Sequence, residues 1–264
     1  MNVPMPDNNM PKADSDRADA FLFERISDKA EHVFTRSSSA QLTTDNEITC
    51  LLDSRENFPA WLKAMAQAQH TICIEMYIFA TDAFGQKVRE VLLERLHNGV
   101  QVFLIYDWLG SSGAHYKRFF KPLTAAGAHI HAYNKLGLTT GLSILGRNHR
   151  KSFTIDQKVA FVSGLCISSQ WDGNEKQGIS PWRDTGLMLQ GPIVQDVLQA
   201  FLDTWQSMGL VRPAVLLQAA PSDAATQVDD YAENLSDVNN ADSSKPKSFA
   251  NARLVATTAD NANM

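Results

Sequence analysis

The segment HRKSFTID, residues 149–156, carries three side chains whose types and spacing could handle a phosphate group. His149 is followed two residues later by Lys151 and five residues after that by Asp156. In an extended strand, residues i and i+2 point to the same face, so His149 and Lys151 are predicted to project together and Arg150 to point away. An imidazole can attack phosphorus, and an ammonium group can hold the charge of the phosphate oxygens. The pattern therefore predicts a phosphate-handling site.

Further segments match a known family in the same order along the chain. They read ICIEMYIFATDAFG, GVQVFLIYDWLGSSG, AAGAHIHAY, RNHRKSFTIDQKVAFVSGLCIS and PWRDTGLMLQGP. Together they resemble the first half of a bacterial cardiolipin synthase of the phospholipase D superfamily, over about residues 46–210. The resemblance implies phosphodiester transfer without a metal or other cofactor. In that superfamily two copies of the His-x-Lys-x4-Asp motif meet at one active site, and this sequence contains one copy.

The resemblance also implies catalytic roles for individual residues. His149 would form a phosphohistidine, Lys151 would neutralise charge in the transition state, and Asp156 completes the motif. Asp184, in the triplet Trp-Arg-Asp, matches the position whose carboxylate orients the motif histidine. An attacking imidazole must be neutral and correctly oriented, which is the physical reason for such an acceptor.

Three residues are candidates for substrate binding. Ser168 matches a family hydroxyl that contacts phosphate, and Arg147 belongs to a basic cluster with the motif that suits an anionic headgroup. Cys166 stands where the family usually has an asparagine. The missing amide donor is expected to cost ~10²-fold or more in rate, by analogy with donors to an oxyanion.

Several of these residues also admit a structural role. Asp156 opens a predicted hairpin turn, and aspartates cap such turns routinely. Glu75 lies in an apolar strand, where a carboxylate needs a partner; it could belong to a buried structural pair or support the site from behind. Asp107 and Ser111 could line the cleft or cap a helix.

The charge of the chain divides unevenly. The net charge is −5, but residues 46–212 hold 16 Lys and Arg against 14 Asp and Glu, so the acidity belongs to the remainder. A mildly basic centre suits an anionic phospholipid such as phosphatidylglycerol, whereas a dedicated nucleic-acid binder usually has a larger basic patch. Nucleic acid is therefore not the expected partner.

The predicted fold class is α/β, with a mixed, mostly parallel sheet and helices on both faces, the α-β-α sandwich of phospholipase D-like domains. Helices are predicted at 58–69, 85–98, 116–126 and 193–208, and strands at 71–79, 100–106, 128–133, 149–156, 158–164 and 185–189. The strands predicted at 149–156 and 158–164 are expected to form an antiparallel hairpin, with its turn at Asp156 and Gln157. Phe153 and Trp182 are expected in the core.

Four segments are predicted. Residues 1–45 are mostly disordered with one short amphipathic helix within 21–34, residues 46–212 form the catalytic domain, and residues 213–249 are a low-complexity linker. Residues 250–264 are the possible first strand of a truncated second domain. A second motif would then come either from that missing half or from a symmetric homodimer.

The remaining expectations concern location and activity. Three cysteines without a CxxC pair indicate a reducing compartment without structural zinc, and no apolar run of about 20 residues is present. The protein is expected in the cytoplasm, peripheral at the inner membrane surface. The favoured activity is phosphatidyl transfer that makes cardiolipin from phosphatidylglycerol. The alternatives are a single-motif homodimeric phosphodiesterase or nuclease, and an inactive half-domain that binds phospholipid.

Overall fold

The computed structural model describes residues 26, 29–37, 40–135, 146–174, 177–218 and 248–256. Within these ranges eight strands form one sheet. They are β1 (Thr43–Leu52), β2 (Thr71–Met76), β3 (Gln101–Asp107), β4 (His129–Tyr133), β5 (Lys151–Ile155), β6 (Val159–Val162), β7 (Thr185–Gln190) and β8 (Ser248–Ala252). The helices are α1 (Asp53–Gln67), α2 (Ala83–His97), α3 (Ser112–Tyr116), α4 (Lys121–Ala125) and α5 (Ile193–Ser207).

The sheet is mixed, as predicted, but its strands are mostly antiparallel. The order is β4-β3-β2-β5-β6-β7-β1-β8. Only β2–β3 and β3–β4 pair in parallel, and the other five pairings are antiparallel. The prediction of a mostly parallel sheet was wrong, because it assumed that the alternation of strands and helices in the first part of the domain continues to its end. From β5 onward the pairings are antiparallel: β5 and β6 form a hairpin, and β7 runs back alongside β6.

Helices cover both faces of the sheet, as the sequence predicted. Alternate side chains of β2 divide between the faces, so Ile72 and Ile74 join one core cluster and Cys73 joins the other. The first cluster packs against α1 and α2, which contribute Trp61 and Leu92. The second packs against α5, whose apolar face is Leu198, Phe201, Leu202 and Trp205. Every residue of β2 is buried, as expected for a central strand covered on both faces.

Most predicted elements are confirmed with small shifts at their ends. The helix predicted at 116–126 is instead two short helices, α3 and α4, and β1 was not predicted. Phe153 is buried as expected. Trp182 is 59% exposed, so its assignment to the core was wrong. It lies in the loop before β7, where its ring is nearly perpendicular to that of Trp171, with ring centres 5.0 Å apart.

A smaller unit comprises residues 1–42 and 253–255. Its described part is helical at 29–37, which confirms part of the predicted amphipathic helix. Within it Arg253 forms an ion pair with Glu31 and places its guanidinium 5.8 Å from the centre of the Phe34 ring.

The predicted segment boundaries are tested only in part. The disorder predicted at the N-terminus falls mostly outside the described residues, and so does the linker beyond residue 218. A strand does occur near residue 250, but β8 pairs with β1 in the same sheet. The assignment of residues 250–264 to a second domain stays a prediction.

Candidate functional site

His149 and Lys151 lie at the edge of the sheet where β2 and β3 end, which we call the motif edge. Strand β5 runs antiparallel to β2, with Lys151 opposite Met76. His149 therefore lies beyond the end of β2. Because β7 also begins at this edge, Asp184 lies at the same edge, immediately before Thr185.

His149 and Lys151 contact each other directly. The ammonium nitrogen of Lys151 is 3.1 Å from His149 Nδ1 and donates a 2.6 Å hydrogen bond to the backbone carbonyl of His149. His149 is exposed and Lys151 is buried, so the histidine is open to a ligand while the lysine is held from behind. Arg150 instead points to the opposite face, where Nη1 donates to Ala200 O. The alternation predicted from the sequence is confirmed.

Tyr77 packs against both motif side chains. The centre of its ring is 4.5 Å from that of His149 and 5.1 Å from the ammonium nitrogen of Lys151. A cation over an aromatic face is stabilised by the ring's charge distribution. Gly110 leaves room for this ring, because a Cβ there would lie 2.9 Å from Tyr77 Cε2. The loop after β3 thus holds Tyr77 in place.

Glu75 fixes the residues on either side of His149. Its carboxylate Oε1 accepts from Asn148 Nδ2 at 2.7 Å and from Thr204 Oγ1 at 2.8 Å, and the guanidinium of Arg150 lies 3.5 Å from both oxygens. Burial raises the pKa of Glu75, while Arg150 and the hydrogen bonds of Thr204 and Asn148 act to lower it. Glu75 is thus part of a buried structural network, and the same network supports the motif. Both roles that the sequence left open for Glu75 therefore apply.

Asp107 anchors the same segment from β3. Its Oδ2 accepts from Asn148 N at 3.1 Å, and its Oδ1 accepts from Leu109 N and Gly110 N. Arg147 lies 3.8 Å from this carboxylate. Because Asp107 is completely buried, these contacts preorganise the backbone that carries His149. Asp107 therefore organises the loop, and neither of its two predicted roles describes it fully.

Ser111 has a related supporting role. It is buried, its hydroxyl donates to Tyr77 O at 3.1 Å, and it accepts from Phe79 N at 2.8 Å. These bonds tie the loop after β3 to the chain leaving β2. Ser111 thus fixes the backbone of Tyr77 and does not line the cleft.

The surroundings favour a neutral imidazole at His149. Partial burial lowers its pKa below the ordinary value and the Lys151 ammonium lowers it further, while the Asp107 carboxylate opposes both. Burial also lowers the pKa of Lys151, against the attraction of Cys166 and Asp184. A neutral imidazole has a lone pair for attack, which a protonated one lacks.

Asp184 is at the motif edge but does not hydrogen-bond to His149 among the described residues. Its Oδ1 accepts from Gly164 N at 3.1 Å, and its backbone N donates to Asp53 Oδ1 at 2.8 Å. Gly164 is required here, because a Cβ would lie 2.2 Å from Asp184 Oδ2. The carboxylate lies close enough to influence Lys151. Its role in orienting His149 stays a prediction.

Cys166 is buried beside Lys151. Burial raises the pKa of its thiol, and the Lys151 ammonium partly offsets that shift. The thiol is therefore neutral and a weak hydrogen-bond donor at neutral pH. The mutual electrostatic effect of Cys166 and Lys151 shows that the two side chains are near each other. The role of Cys166 in place of the family asparagine stays a prediction.

The other two predicted ligand residues are already engaged. The Ser168 hydroxyl donates to Asp82 Oδ2 at 2.8 Å and accepts from Gln170 N at 3.3 Å, and the residue is buried. Asp82 caps α2 by accepting from Gly85 N. Arg147 lies against Asp107 as described. Their binding of phosphate stays a prediction.

Asp156 lies at the opposite end of β5 from His149. Its carboxylate accepts three backbone hydrogen bonds, from Gln69 N, His70 N and Thr71 N, at 2.7–2.8 Å. It sits in the hairpin turn with a positive φ of 51°. These contacts support the structural alternative for Asp156, and its catalytic role stays a prediction.

Sequence reasoning missed two residues of the site, Tyr77 and Asn148. Asn148 precedes His149 and links it to Glu75, but nothing in its immediate sequence distinguishes it from a surface asparagine. Tyr77 is one of many aromatic residues in apolar strands. Only the pairing of β2 with β5 brings both residues to the motif.

Among the described residues, no group of three or more His, Cys, Asp or Glu side chains is arranged to hold a metal ion. Within the same ranges, no helix has the length and apolar character needed to span a bilayer.

The fold and the His-Lys pair define a phospholipase D-like domain, and comparison with known proteins gives the family. Residues 61–205 match the family model described as "Cardiolipin synthase, PLD-like domain". The chain belongs to this family.

Individual relatives agree. Cardiolipin synthase A of Pseudomonas aeruginosa is 32% identical over 178 residues, which cover 67% of this chain and 36% of the relative. The major cardiolipin synthase ClsA of Bacillus subtilis is 34% identical over 176 residues, 66% of this chain and 36% of the relative. The matched region spans about a third of the length of these curated relatives.

Among solved structures, the phospholipase D family member Nuc from Salmonella typhimurium aligns with 61% of this chain and 95% of its own, with a TM-score of 0.46 and 13% identity. Phosphatidylserine synthase of Haemophilus influenzae aligns with 79% of this chain and 46% of its own, with a TM-score of 0.47 and 16% identity.

Proposed function

We propose that this chain transfers a phosphatidyl group through His149 and makes cardiolipin from phosphatidylglycerol. The single observation that carries the proposal is the contact between His149 and Lys151, which places a nucleophile and a cation side by side in a cardiolipin synthase-like domain. Its substrate class comes from the relatives, which are named cardiolipin synthases.

The first step forms a bond between a ring nitrogen of His149 and phosphorus. The bond between phosphorus and the oxygen of the departing glycerol breaks, and that oxygen takes a proton from an acid. In the second step the hydroxyl oxygen of another phosphatidylglycerol attacks the same phosphorus. The bond between phosphorus and His149 breaks, and the hydroxyl proton passes to the group that acted as acid in the first step. Lys151 neutralises the phosphate oxygens in both transition states.

Orientation of the imidazole decides which nitrogen attacks. A charged Lys151 that donates to Nδ1 leaves the proton of the neutral ring on Nε2, so Nδ1 holds the lone pair in this arrangement. Attack by Nε2 instead requires the ring to turn away from Lys151 and adopt the other tautomer, in which the proton is on Nδ1 and that N–H donates a hydrogen bond to an acceptor. Asp184 is the acceptor that we propose for this step.

The acid for the first step is the remaining requirement. We propose that a second His-x-Lys motif supplies it, from a symmetric partner copy of the chain or from a second catalytic half. General-acid help of this kind accounts for about 10²–10⁴-fold in rate. We propose residues 46–212 as the catalytic domain and residues 213–249 as a linker. We propose that the protein works in the cytoplasm, at the inner membrane surface.

Lipid product analysis tests this function. The purified chain, with its oligomeric mass measured, is incubated with phosphatidylglycerol beside His149→Ala and the matched surface variant His97→Ala. Cardiolipin or phosphatidate should form with the unmodified chain and with His97→Ala, but not with His149→Ala. Equal product from all three would overturn the proposal. Cleavage of DNA without any lipid product would support the nuclease alternative instead.

A further inference from the structure

Four large apolar side chains are exposed in the loops that leave the motif edge. Leu109 follows β3, Tyr116 ends α3, and Ile179 and Trp182 lie in the loop before β7. Their exposed fractions are 49%, 69%, 52% and 59% respectively. Single exposed apolar residues are ordinary, but a group of them beside a site marks an interaction surface.

The loops that carry these residues all leave the motif edge, and hydrogen bonds tie neighbouring loops together. Next to Tyr116, the Lys117 ammonium donates to Thr81 Oγ1 at 3.3 Å. The following residue, Asp82, accepts from Ser168 Oγ and from Ser169 N. The chain then continues through a short 3-10 helix, Ser169–Asp172, that carries Trp171. We call the four residues Leu109, Tyr116, Ile179 and Trp182 the apolar rim.

The two aromatic members of the apolar rim are held in place by neighbours. Trp182 meets Trp171 edge to face with ring centres 5.0 Å apart, and its backbone N donates to Trp171 O at 3.1 Å. Tyr116 meets the buried Trp108 at 6.1 Å. Their exposure is therefore fixed by the fold. Tryptophan and tyrosine combine an apolar ring with a polar atom, and both are enriched where a membrane meets water.

Among the described residues beside the apolar rim, the exposed charges are mostly positive, whereas Asp53, Asp82 and Asp184 are only partly exposed. Lys117, Arg118, Lys135 and Arg183 are exposed here, against the exposed Asp172. Arg183 remains 82% exposed although it pairs with Asp53. Basic side chains near a membrane are attracted to anionic headgroups. Charge and apolar character together match an anionic lipid surface.

We propose that the apolar rim docks on the surface of an anionic phospholipid membrane. Tyr116 and Trp182 enter the interface between headgroups and acyl chains, and the basic residues contact the headgroups. A lipid phosphate then reaches His149 without leaving the bilayer. The inference deepens the proposed function, on which it rests for the lipid nature of the substrate.

Sedimentation with sucrose-loaded vesicles tests the docking surface. Vesicles contain equal parts of phosphatidylglycerol and phosphatidylcholine, or phosphatidylcholine alone. The full chain is compared with Tyr116→Ser, Trp182→Ser and a matched control, Leu217→Ser. Leu217 is as exposed as Trp182, at 59%, and its 3-10 helix, Ala214–Leu217, contacts Gln157 at the opposite edge of the sheet.

The unmodified chain should bind the mixed vesicles and bind phosphatidylcholine weakly. Each rim substitution should weaken binding ~10-fold, since a buried aromatic side chain contributes about that much to interfacial affinity. Leu217→Ser should bind like the unmodified chain. An absence of vesicle binding by the unmodified chain, or an equal loss in Leu217→Ser, would overturn the proposal.

Two further experiments distinguish membrane docking from catalysis. His149→Ala should bind vesicles normally even when it forms no product, so failure of the proposed function leaves the docking result intact. Failure of the docking proposal leaves cleavage of a soluble phosphodiester intact. Glycerol phosphate added in excess should not release the protein from vesicles. Release by this free headgroup would show that binding occurs in the motif site alone, against the proposal.

Discussion

The ammonium nitrogen of Lys151 lies 3.1 Å from Nδ1 of His149, and the same nitrogen donates to the carbonyl of His149. A cation this close disfavours a second positive charge on the imidazole. Lys151 therefore stabilises the neutral form of His149, in addition to the phosphate binding that we propose for it. Glu75 and Asp107 hold the adjoining backbone, so this geometry is fixed before a substrate arrives.

The pKa of His149 should depend on Lys151. The folded-state pKa is below the ordinary value of 6.5, so the neutral form prevails at pH 7, and activity should fall only as the pH drops through that lowered value. Replacing Lys151 with Met removes a positive charge and should raise the pKa of His149. NMR titration of the His149 ring measures this directly. The matched control Lys158→Met should leave the pKa unchanged, and an unchanged pKa in Lys151→Met would contradict the account.

Asp156 should matter for stability more than for chemistry. Asp156→Ala leaves three backbone N–H groups near residues 69–71 without their acceptor, and should lower the free energy of unfolding by about 2–4 kcal/mol. Urea unfolding measures the loss, with the exposed Asp172→Ala as control. The pKa of His149 should stay as in the unmodified protein. A stable Asp156→Ala protein without activity would point to a catalytic role instead.

Glu75 should be required for the folded site. Glu75→Ala removes the buried carboxylate, and with it the ion pair to Arg150 and the acceptor of Asn148 and Thr204, which should cost about 3–5 kcal/mol in unfolding free energy. Glu75→Gln keeps an oxygen acceptor for Asn148 and Thr204 and should cost less. Thermal unfolding of both variants tests this order. Equal stability of Glu75→Ala and the unmodified protein would mean that the network does not support the site.

The sequence predicted the parts of the site that depend on local periodicity. His149 and Lys151 share a face and Arg150 does not, because side chains alternate along any strand. The exposure of Trp182 and the contact of Tyr77 with His149 depend on which segments meet in space. Asp53 and Asp184 illustrate the difficulty, since their backbone and side-chain bonds join positions 131 residues apart. No local pattern predicts such a contact.

The fold also combines features that local sequence patterns predict with features that depend on long-range pairing. Strands β2 and β3 were predicted from their apolar runs, whereas β1 is a strand of mixed polarity whose formation depends on pairing with β7 and β8. The hairpin of β5 and β6 was predicted from its turn, in which Asp156 and Gln157 adopt positive φ values. The placement of β5 beside β2, which makes that pairing antiparallel, was not predictable from either segment alone.

Cys166 should limit the rate. Its neutral thiol replaces the amide that the family usually presents, so Cys166→Asn should restore a hydrogen-bond donor near Lys151 and raise turnover by ~10²-fold. Cys50→Asn, at an exposed position, serves as the control. Initial rates of lipid conversion and a parallel unfolding curve would be measured. A folded Cys166→Asn protein with unchanged turnover would show that the thiol is not limiting.

The most direct test of the account is detection of the covalent intermediate on His149. The chain is mixed with phosphatidylglycerol, quenched in alkaline denaturant to preserve a bond between phosphorus and nitrogen, digested and analysed by mass spectrometry. The account predicts a phosphatidyl adduct on the peptide that contains His149, present in His97→Ala and absent from His149→Ala. Product formation without any adduct at His149, or undiminished turnover in His149→Ala, would contradict it.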